Sequence, residues 1–361
     1  MKYNPDMNQL TLILPFALPP PELARDLLRA LQAPALAALL ARTSAHKLRP
    51  FDNALRMLPH EAWLAQALQL APVGAKTEAS AGPSAAFATG AMRGFKLEQA
   101  DGHWFIVNPV HVQIARNHLL MEDARQLPLI EADARALFES AKPYFDEIGQ
   151  PLLYGDAQTW FMRADHWKGL RTATLDAATG QNLVAWMPEG PGAQACRKLQ
   201  NEIQMLWHAH PVNLQRQQRG LKPINSFWLW GGADAGLADA NFDGAATPLL
   251  VLDAQPWLAA LAGNPAIAPA SLETAMAIDN ALVLLGTLSQ AGLASDWSHW
   301  LMQMHQLEQH WFAPALQALK DGRIKRITLV LSNRDAHAEF SSSKHAQRKF
   351  WQKITLNRLS T

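Results

Sequence analysis

Polar side chains of directional chemistry are densest between residues 197 and 225. In the stretch 193–208, Leu199, Ile203 and Leu206 recur at helical spacing, while Arg197, Asn201, Gln204 and His208 stand four, three and four residues apart. That spacing places the polar four on the face opposite the apolar stripe. A face kept only for solubility favours Lys and Glu, whereas amides and an imidazole make directional hydrogen bonds, so Asn201 and His208 are candidate ligand contacts. His210-Pro211-Val212-Asn213 follows, then Arg216 and Asn225. Pro211 ends the helix and leaves carbonyls of its last turn without helical partners. Arg216 offers five N–H donors in a rigid fork, which suits a phosphate, a carboxylate or a set of carbonyls. Asn213 can donate and accept at once. Two readings follow. His208, Asn213, Arg216, Asn225 and Asn201 bind an anionic ligand at a sheet edge, or they form a bonded joint between helix 193–208 and strand 224–230 that asks for no ligand.

Other chemistry is less well supplied. Cys196 is the one cysteine, so an internal disulfide and a thiolate metal site are both excluded. It lies beside Arg197 in an ordinary helix and should pack as a small apolar side chain. His208 and His210 point to different faces of a helix, and His111 and His118 could stack on one, but structural roles suffice for all four. No HExxH, GxGxxG or GxxxxGK[ST] run occurs, which disfavours a zinc hydrolase and both standard nucleotide loops. Carboxylates are numerous but unpaired in any glycosidase-like context. Gly231-Gly232 closes an apolar strand, where glycine permits positive φ or the close approach of another group.

The elements that must position these residues alternate. Apolar runs at 10–14, 103–108, 160–163, 224–230, 247–253 and 326–331 read as strands, with 91–98 and 350–356 as further candidates. Helical spacing marks 22–40 (split by Pro34), 60–70, 133–148, 193–208, 256–262, 272–288 and 296–319. In the last of these Trp300, Met304, Leu307 and Trp311 share a face and belong to a core. The stretch 71–94 is rich in Ala, Gly, Ser and Pro and reads as a connector. The alternation implies an α/β fold, an open, largely parallel sheet flanked by helices, with an inserted smaller α/β lobe. Residues 1–85 and 205–361 would form the core and 86–204 the lobe.

The run His210-Pro211-Val212-Asn213, Arg216, Gly220, Asn225, Trp228 and Trp230-Gly231 resembles a segment of the archaeal-type, cofactor-independent phosphoglycerate mutases of the alkaline phosphatase superfamily. The close resemblance covers about residues 199–232, and Ile224 replaces the family's usual small residue. The chain also resembles bacterial proteins labelled as regulatory proteins of RpfE type. The first resemblance implies two divalent metals held by Asp and His and a Ser or Thr nucleophile. It places the first metal aspartate after the N-terminal strand, where this chain reads Leu14-Pro15-Phe16-Ala17-Leu18-Pro19. The family's later D-x-x-x-H and adjacent D-H have as nearest counterparts Glu308 with His310, at the wrong spacing, and Asp335 with His337. Asp6, Asp52, Asp165 or Asp176 could reach a site from elsewhere in the chain. We therefore expect a domain without the family's metal pair and without a cofactor, acting as a binding or regulatory protein. A metal-dependent phosphomutase or phosphatase for small phosphorylated metabolites is the alternative.

Composition bounds the rest. At 361 residues, 49% apolar and 17% charged, the chain is globular and long enough for two cores. No clean run of 18 apolar residues or leader-like start is present, so no membrane partner is expected and the cytoplasm is the default compartment. From Lys320 onward ten Lys or Arg face three Asp or Glu, a net of +7 against −6 for the first 319 residues. A nucleic-acid-associated role for this basic end is a further alternative and is disfavoured. The expected partners are a small anionic metabolite or another protein.

Overall fold

The computed structural model describes residues 7–70, 85–97, 101–115, 118–235, 248–263 and 271–360. At its centre β1 (Met7–Leu14) lies between β11 (Ile324–Ser332) and β10 (Ala281–Leu285), parallel to both, and β9 (Leu249–Leu252) continues the parallel set beyond β10. On the other side β12 (Ala336–Ser343) and β2 (Ala45–Pro50) add two antiparallel strands, giving the order β2-β12-β11-β1-β10-β9. The architecture is thus α/β with a largely parallel central sheet. Among the described residues no helix is long and apolar enough to cross a membrane.

Both faces of β1, β10 and most of β11 are buried, which is why these strands read as apolar runs, whereas β2 at the edge is exposed along its length. Leu10, Leu12 and Leu14 enter one core with α1 (Pro21–Ala30), α2 (Pro34–Ala41) and the helices Trp297–Leu307 and Ala313–Asp321. Trp300, Met304, Leu307 and Trp311 are all there, as their spacing predicts. Ile13 points the other way, into a second core with α3 (Pro59–Ala67), α4 (Phe87–Gly94) and the helix Pro256–Leu261. Trp228 and Trp230 of a second sheet close that core from the far side.

The second sheet is antiparallel, in the order β6-β7-β3-β8. It comprises β6 (Leu152–Tyr154), β7 (Trp160–Arg163), β3 (His103–Val110) and β8 (Ser226–Asp234). Beside it β4 (Val112–Ala115) and β5 (His118–Met121) make a hairpin. Its outer face packs in a third core on α5 (Glu131–Glu147) and α7 (Ala193–His208). Two short helices, α6 (Leu175–Ala178) and α8 (Pro211–Gln218), flank α7 in sequence.

Several expectations need correction. The helix expected over 272–288 is a short helix Leu272–Met276 followed by β10, because a doubly buried strand carries no period to separate it from a buried helix. Of the strand expected over 91–98, residues 91–94 belong to α4, 95–97 follow it without strand pairing and 98 lies outside the described residues, and 350–356 forms turns and irregular chain rather than a strand. The strand 224–230 falls within the expected core segment 205–361. As β8 it instead pairs antiparallel with β3 in the second sheet, so residues past 204 still contribute to the smaller sheet.

Pro34 splits the first helix as its missing N–H demands, and α2 then starts without a local cap, since Ala33 has no side-chain acceptor. Glu308 supplies one across 272 residues of chain. Its buried carboxylate accepts from Ala35 N at 2.6 Å and Leu36 N at 3.0 Å, and it sits in the π-helical turn Glu308–Phe312. This ties α2 to the helical layer beside it. E308A leaves two buried N–H groups unpaired and should cost about 2–3 kcal/mol by urea denaturation; a midpoint equal to wild type would show that the cap contributes nothing.

Candidate functional site

α7 stops at His208 because Pro211 opens α8, and His210 caps α8 by accepting from Val212 N through Nδ1 at 3.2 Å. Asn213, 1% exposed, then bonds three backbone groups. Its Nδ2 donates to Trp207 O at 2.8 Å and Ile224 O at 2.7 Å, while Oδ1 accepts from Ile224 N at 2.8 Å. Arg216, equally buried, donates from Nε to Lys222 O at 3.0 Å and from Nη1 to Pro128 O at 2.7 Å. Asn225 pairs with both backbone groups of Val112 at 2.8 Å and so extends the contact between β8 and the β4 hairpin. Asn201 and His208 lie on the exposed face of α7. The structure therefore gathers Asn213 and Arg216 into the joint, places Asn225 beside it, and leaves Asn201 and His208 facing solvent. Cys196 is fully buried, and burial pushes its thiol up to about 12.

A second polar constellation lies at the carboxyl ends of β1 and β11, where ligands collect in parallel sheets. Asp176, in α6, takes a two-pronged contact from Arg125, Nη1 to Oδ1 at 3.0 Å and Nη2 to Oδ2 at 2.6 Å. Gln255 Nε2 donates to the same Oδ1 at 2.7 Å, and its own Oε1 accepts from the Trp257 indole at 2.9 Å. Burial alone would raise the Asp176 carboxyl, but the Arg125 guanidinium outweighs it and holds it below the usual range. Asp123 bonds Arg125 as well, at 2.9 Å. Nearby, Glu61 Oε2 accepts from Leu58 N and Thr174 Oγ1, both at 2.6 Å, which caps α3. Burial, reinforced by the Asp176 charge, pushes Glu61 up to about 8.

His60 and Ser332 pair at 3.3 Å between Nδ1 and Oγ, and burial lowers the imidazole to about 4. The pair is sealed. Ser332 has no exposed surface, and Phe16, at φ 59°, sets its ring edge-on to His60 at 6.2 Å. Arg334 passes 6.0 Å from the Phe16 ring and donates to Ala177 O and Thr179 O at 3.1 and 2.8 Å. An aromatic ring and an arginine thus occupy the end of the sheet.

The residues present do not fit a two-metal site. The turn after β1 offers Phe16 and backbone but no carboxylate. Glu308 caps α2, Asp335 accepts from Asn53 at 3.3 Å, and His337 lies within β12 opposite Ser332. Asp52 caps a turn by accepting from Ala54 N, and Asp165 bonds His103 N and Arg163. Asp6 lies outside the described residues. Of the described aspartates proposed from the sequence, Asp176 reaches the sheet end, where an arginine holds both its oxygens. Among the described residues no group of three or more His, Cys, Asp or Glu could hold a metal ion. Sequence reasoning missed His60, Glu61, Arg125, Gln255 and Arg334, since, apart from the adjacent His60 and Glu61, they come from separate segments and no spacing joins them.

No family model matches the chain. It is 29% identical over 146 residues to a probable 2,3-bisphosphoglycerate-independent phosphoglycerate mutase of Geobacter sulfurreducens, a match covering 40% of this chain and 36% of the relative. It is 34% identical over 53 residues to the 2,3-bisphosphoglycerate-independent phosphoglycerate mutase of Methanosarcina mazei, over 15% and 13% of the two chains. The matched span is therefore about a third, or less, of each relative's length. The solved structure of the PH0037 protein from Pyrococcus horikoshii aligns over 98% of this chain and 92% of its own, with a TM-score of 0.51 and 11% identity, which shows a shared fold. The likeness to the cofactor-independent phosphoglycerate mutases is distant.

Two outcomes follow from this geometry. R216A removes donors from a buried joint and should cost roughly 2–4 kcal/mol. A wild-type denaturant midpoint would sink the structural role, and loss of thermal stabilisation by phosphorylated metabolites would put an anion site in its place. The second concerns pH. Glu61 is raised in the fold from an ordinary 4.5 to about 8, so it keeps a proton that the unfolded chain releases, and stability falls as pH rises across that window. His60, lowered from 6.5 to about 4, acts oppositely: the unfolded chain binds the proton first, so stability rises with pH between those values. The two oppose each other below 6.5, and the Glu61 effect stands alone between 6.5 and about 8. Wild type should lose stability there by at most about 1.4 kcal/mol per pH unit. E61Q, which cannot ionise, should flatten that slope; an unchanged slope in chemical denaturation would assign it to another group.

Proposed function

We propose that the chain is a non-catalytic binding or regulatory protein built on a phosphoglycerate-mutase-like fold. The observation that carries the reading is the state of the sheet's carboxyl end. Its charged side chains are spent on one another and on backbone carbonyls, with Arg125 and Gln255 on Asp176 and Arg334 on Ala177 and Thr179. Metal-assisted phosphoryl transfer needs carboxylates and imidazoles free to bind cations, with an open position for substrate. An arginine in that place supplies positive charge but no exchangeable coordination. The regulatory part of the reading draws on the resemblance to the RpfE-type proteins. A small anionic ligand held by His208, Asn201, Asn213, Arg216 and Asn225 belongs to the same proposal. So do a cytoplasmic location and a division into a core of 1–85 and 205–361 and a lobe of 86–204. Metal analysis after purification in excess Mn²⁺, with phosphoester turnover measured on the same sample, tests the central claim. No bound metal pair and no turnover above a metal-free blank are expected. A pair of metals per chain together with turnover would replace this reading with a working phosphomutase or phosphatase.

A further inference from the structure

The C-terminal segment crosses the outer face of the helical layer and leaves a groove of about 840 Å³ between itself and α1. Leu28, Leu31, Ala37 and Leu356 give the groove an apolar floor. Arg25 and Arg29 stand one turn apart on its wall, both exposed, and no Asp or Glu lines it. Neither arginine forms an ion pair among the described residues. Ile354, 45% exposed, lines one end, and just before it in the chain come Phe350 and Trp351, 83% and 67% exposed. Their rings meet edge to face at 5.3 Å.

These aromatics are held in place. Lys349 Nζ donates to Thr43 O at 2.8 Å, and Arg358 Nη1 donates to Leu40 O at 3.0 Å, so the segment is pinned on both sides of the exposed pair. The buried side chain of Leu359 anchors it further. A fixed backbone presenting Phe and Trp to water has already lost the entropy that ordering a loop on binding would cost. Arg348 and Lys353, both exposed, add positive charge on either side. Trp and Arg are the residue types that dominate binding energy at protein interfaces.

We infer that this groove, together with Phe350 and Trp351 of the same segment, docks an acidic segment of a partner protein that carries apolar side chains. Unpaired arginines and exposed cations around an apolar floor, with no carboxylate among the lining residues, complement Glu- or Asp-rich chain. The concavity favours a peptide over a bilayer, because a protruding apolar side chain can enter a groove whose floor a flat lipid surface does not reach. The surface shares no residue with the carboxyl-end cluster, so the inference stands whether or not that cluster is catalytically silent.

Fluorescence anisotropy on the full chain tests it, with a labelled synthetic peptide of alternating Glu and Leu, its Lys-for-Glu counterpart, and competing vesicles of phosphatidylglycerol. The acidic peptide should bind at least about tenfold tighter than the basic one and weaken with salt. R25E/R29E and W351A should each weaken it by about tenfold or more while leaving the thermal midpoint unchanged, since all three side chains are exposed. K353E is a further exposed-site variant expected to weaken binding in the same direction. Equal affinity for the two peptides, no binding of the acidic one, or undiminished binding by the variants would overturn the proposal. Vesicle binding that W351A abolishes, without acidic-peptide binding, would assign the face to anionic lipid. Self-association abolished by the same substitutions would assign it to a second copy of this chain.

Discussion

The Arg125–Asp176 pair is the constraint around which the boundary between the two sheets is arranged. A carboxylate taken out of water carries a penalty of several kcal/mol unless a cation and further donors meet it. Asp176 meets a guanidinium on both oxygens and the Gln255 amide on one. Arg125 arrives from the turn after the β4–β5 hairpin, and Gln255 from the segment leading out of β9, so one carboxylate links the smaller lobe to the parallel sheet. Truncating either ion would strand the other, at about 3–5 kcal/mol, although the intact pair adds little net stability. What it supplies is position. Arg334 extends the network by holding the carbonyls of Ala177 and Thr179, on both sides of the end of α6.

That arrangement also sets the protonation of its neighbours. With Asp176 ionised beside it in a buried setting, Glu61 is driven toward its neutral form, and its carboxyl serves the start of α3 rather than a cation. His60 stays neutral and turned to Ser332, covered by Phe16. A catalytic centre keeps similar groups poised but with one side open to substrate. Here the groups close on each other. The fold is compatible with many functions, so what this end of the sheet can do is set by these side chains and not by the architecture.

The sequence disclosed the parts of this molecule that depend on local pattern. Pro34 and Pro211 mark real helix boundaries, the stripe through Trp300 and Trp311 is a core stripe, and Asn213 and Arg216 meet at a joint that the helix break demands. It failed where the deciding contact is remote. β10 looks helical because both its faces are buried, and β8 could not be assigned to a sheet because its partner, β3, lies more than a hundred residues away. Apart from Asp176, the carboxyl-end cluster was invisible for the same reason. Its members come from α3, the turn at Arg125, α6, the Gln255 turn and the loop after β11, and each alone is an ordinary polar residue.

The basic C-terminal end shows how a charge count changes meaning once the chain is folded. Its net of +7 suggests a field that could meet phosphates. Yet Arg334, Lys349 and Arg358 each donate to backbone carbonyls elsewhere in the body, at Ala177 and Thr179, Thr43 and Leu40. Lys349 and Arg358 act as ties that fasten the last segment over the helical layer, while Arg334 closes the end of the sheet. A nucleic-acid surface needs its cations together on one open face, and these bonds remove all three from any such face. Of the seven cations that remain, all exposed, Arg348 and Lys353 flank two exposed aromatics. Charge spent on fastening the segment is therefore what gives the rest of it a defined shape.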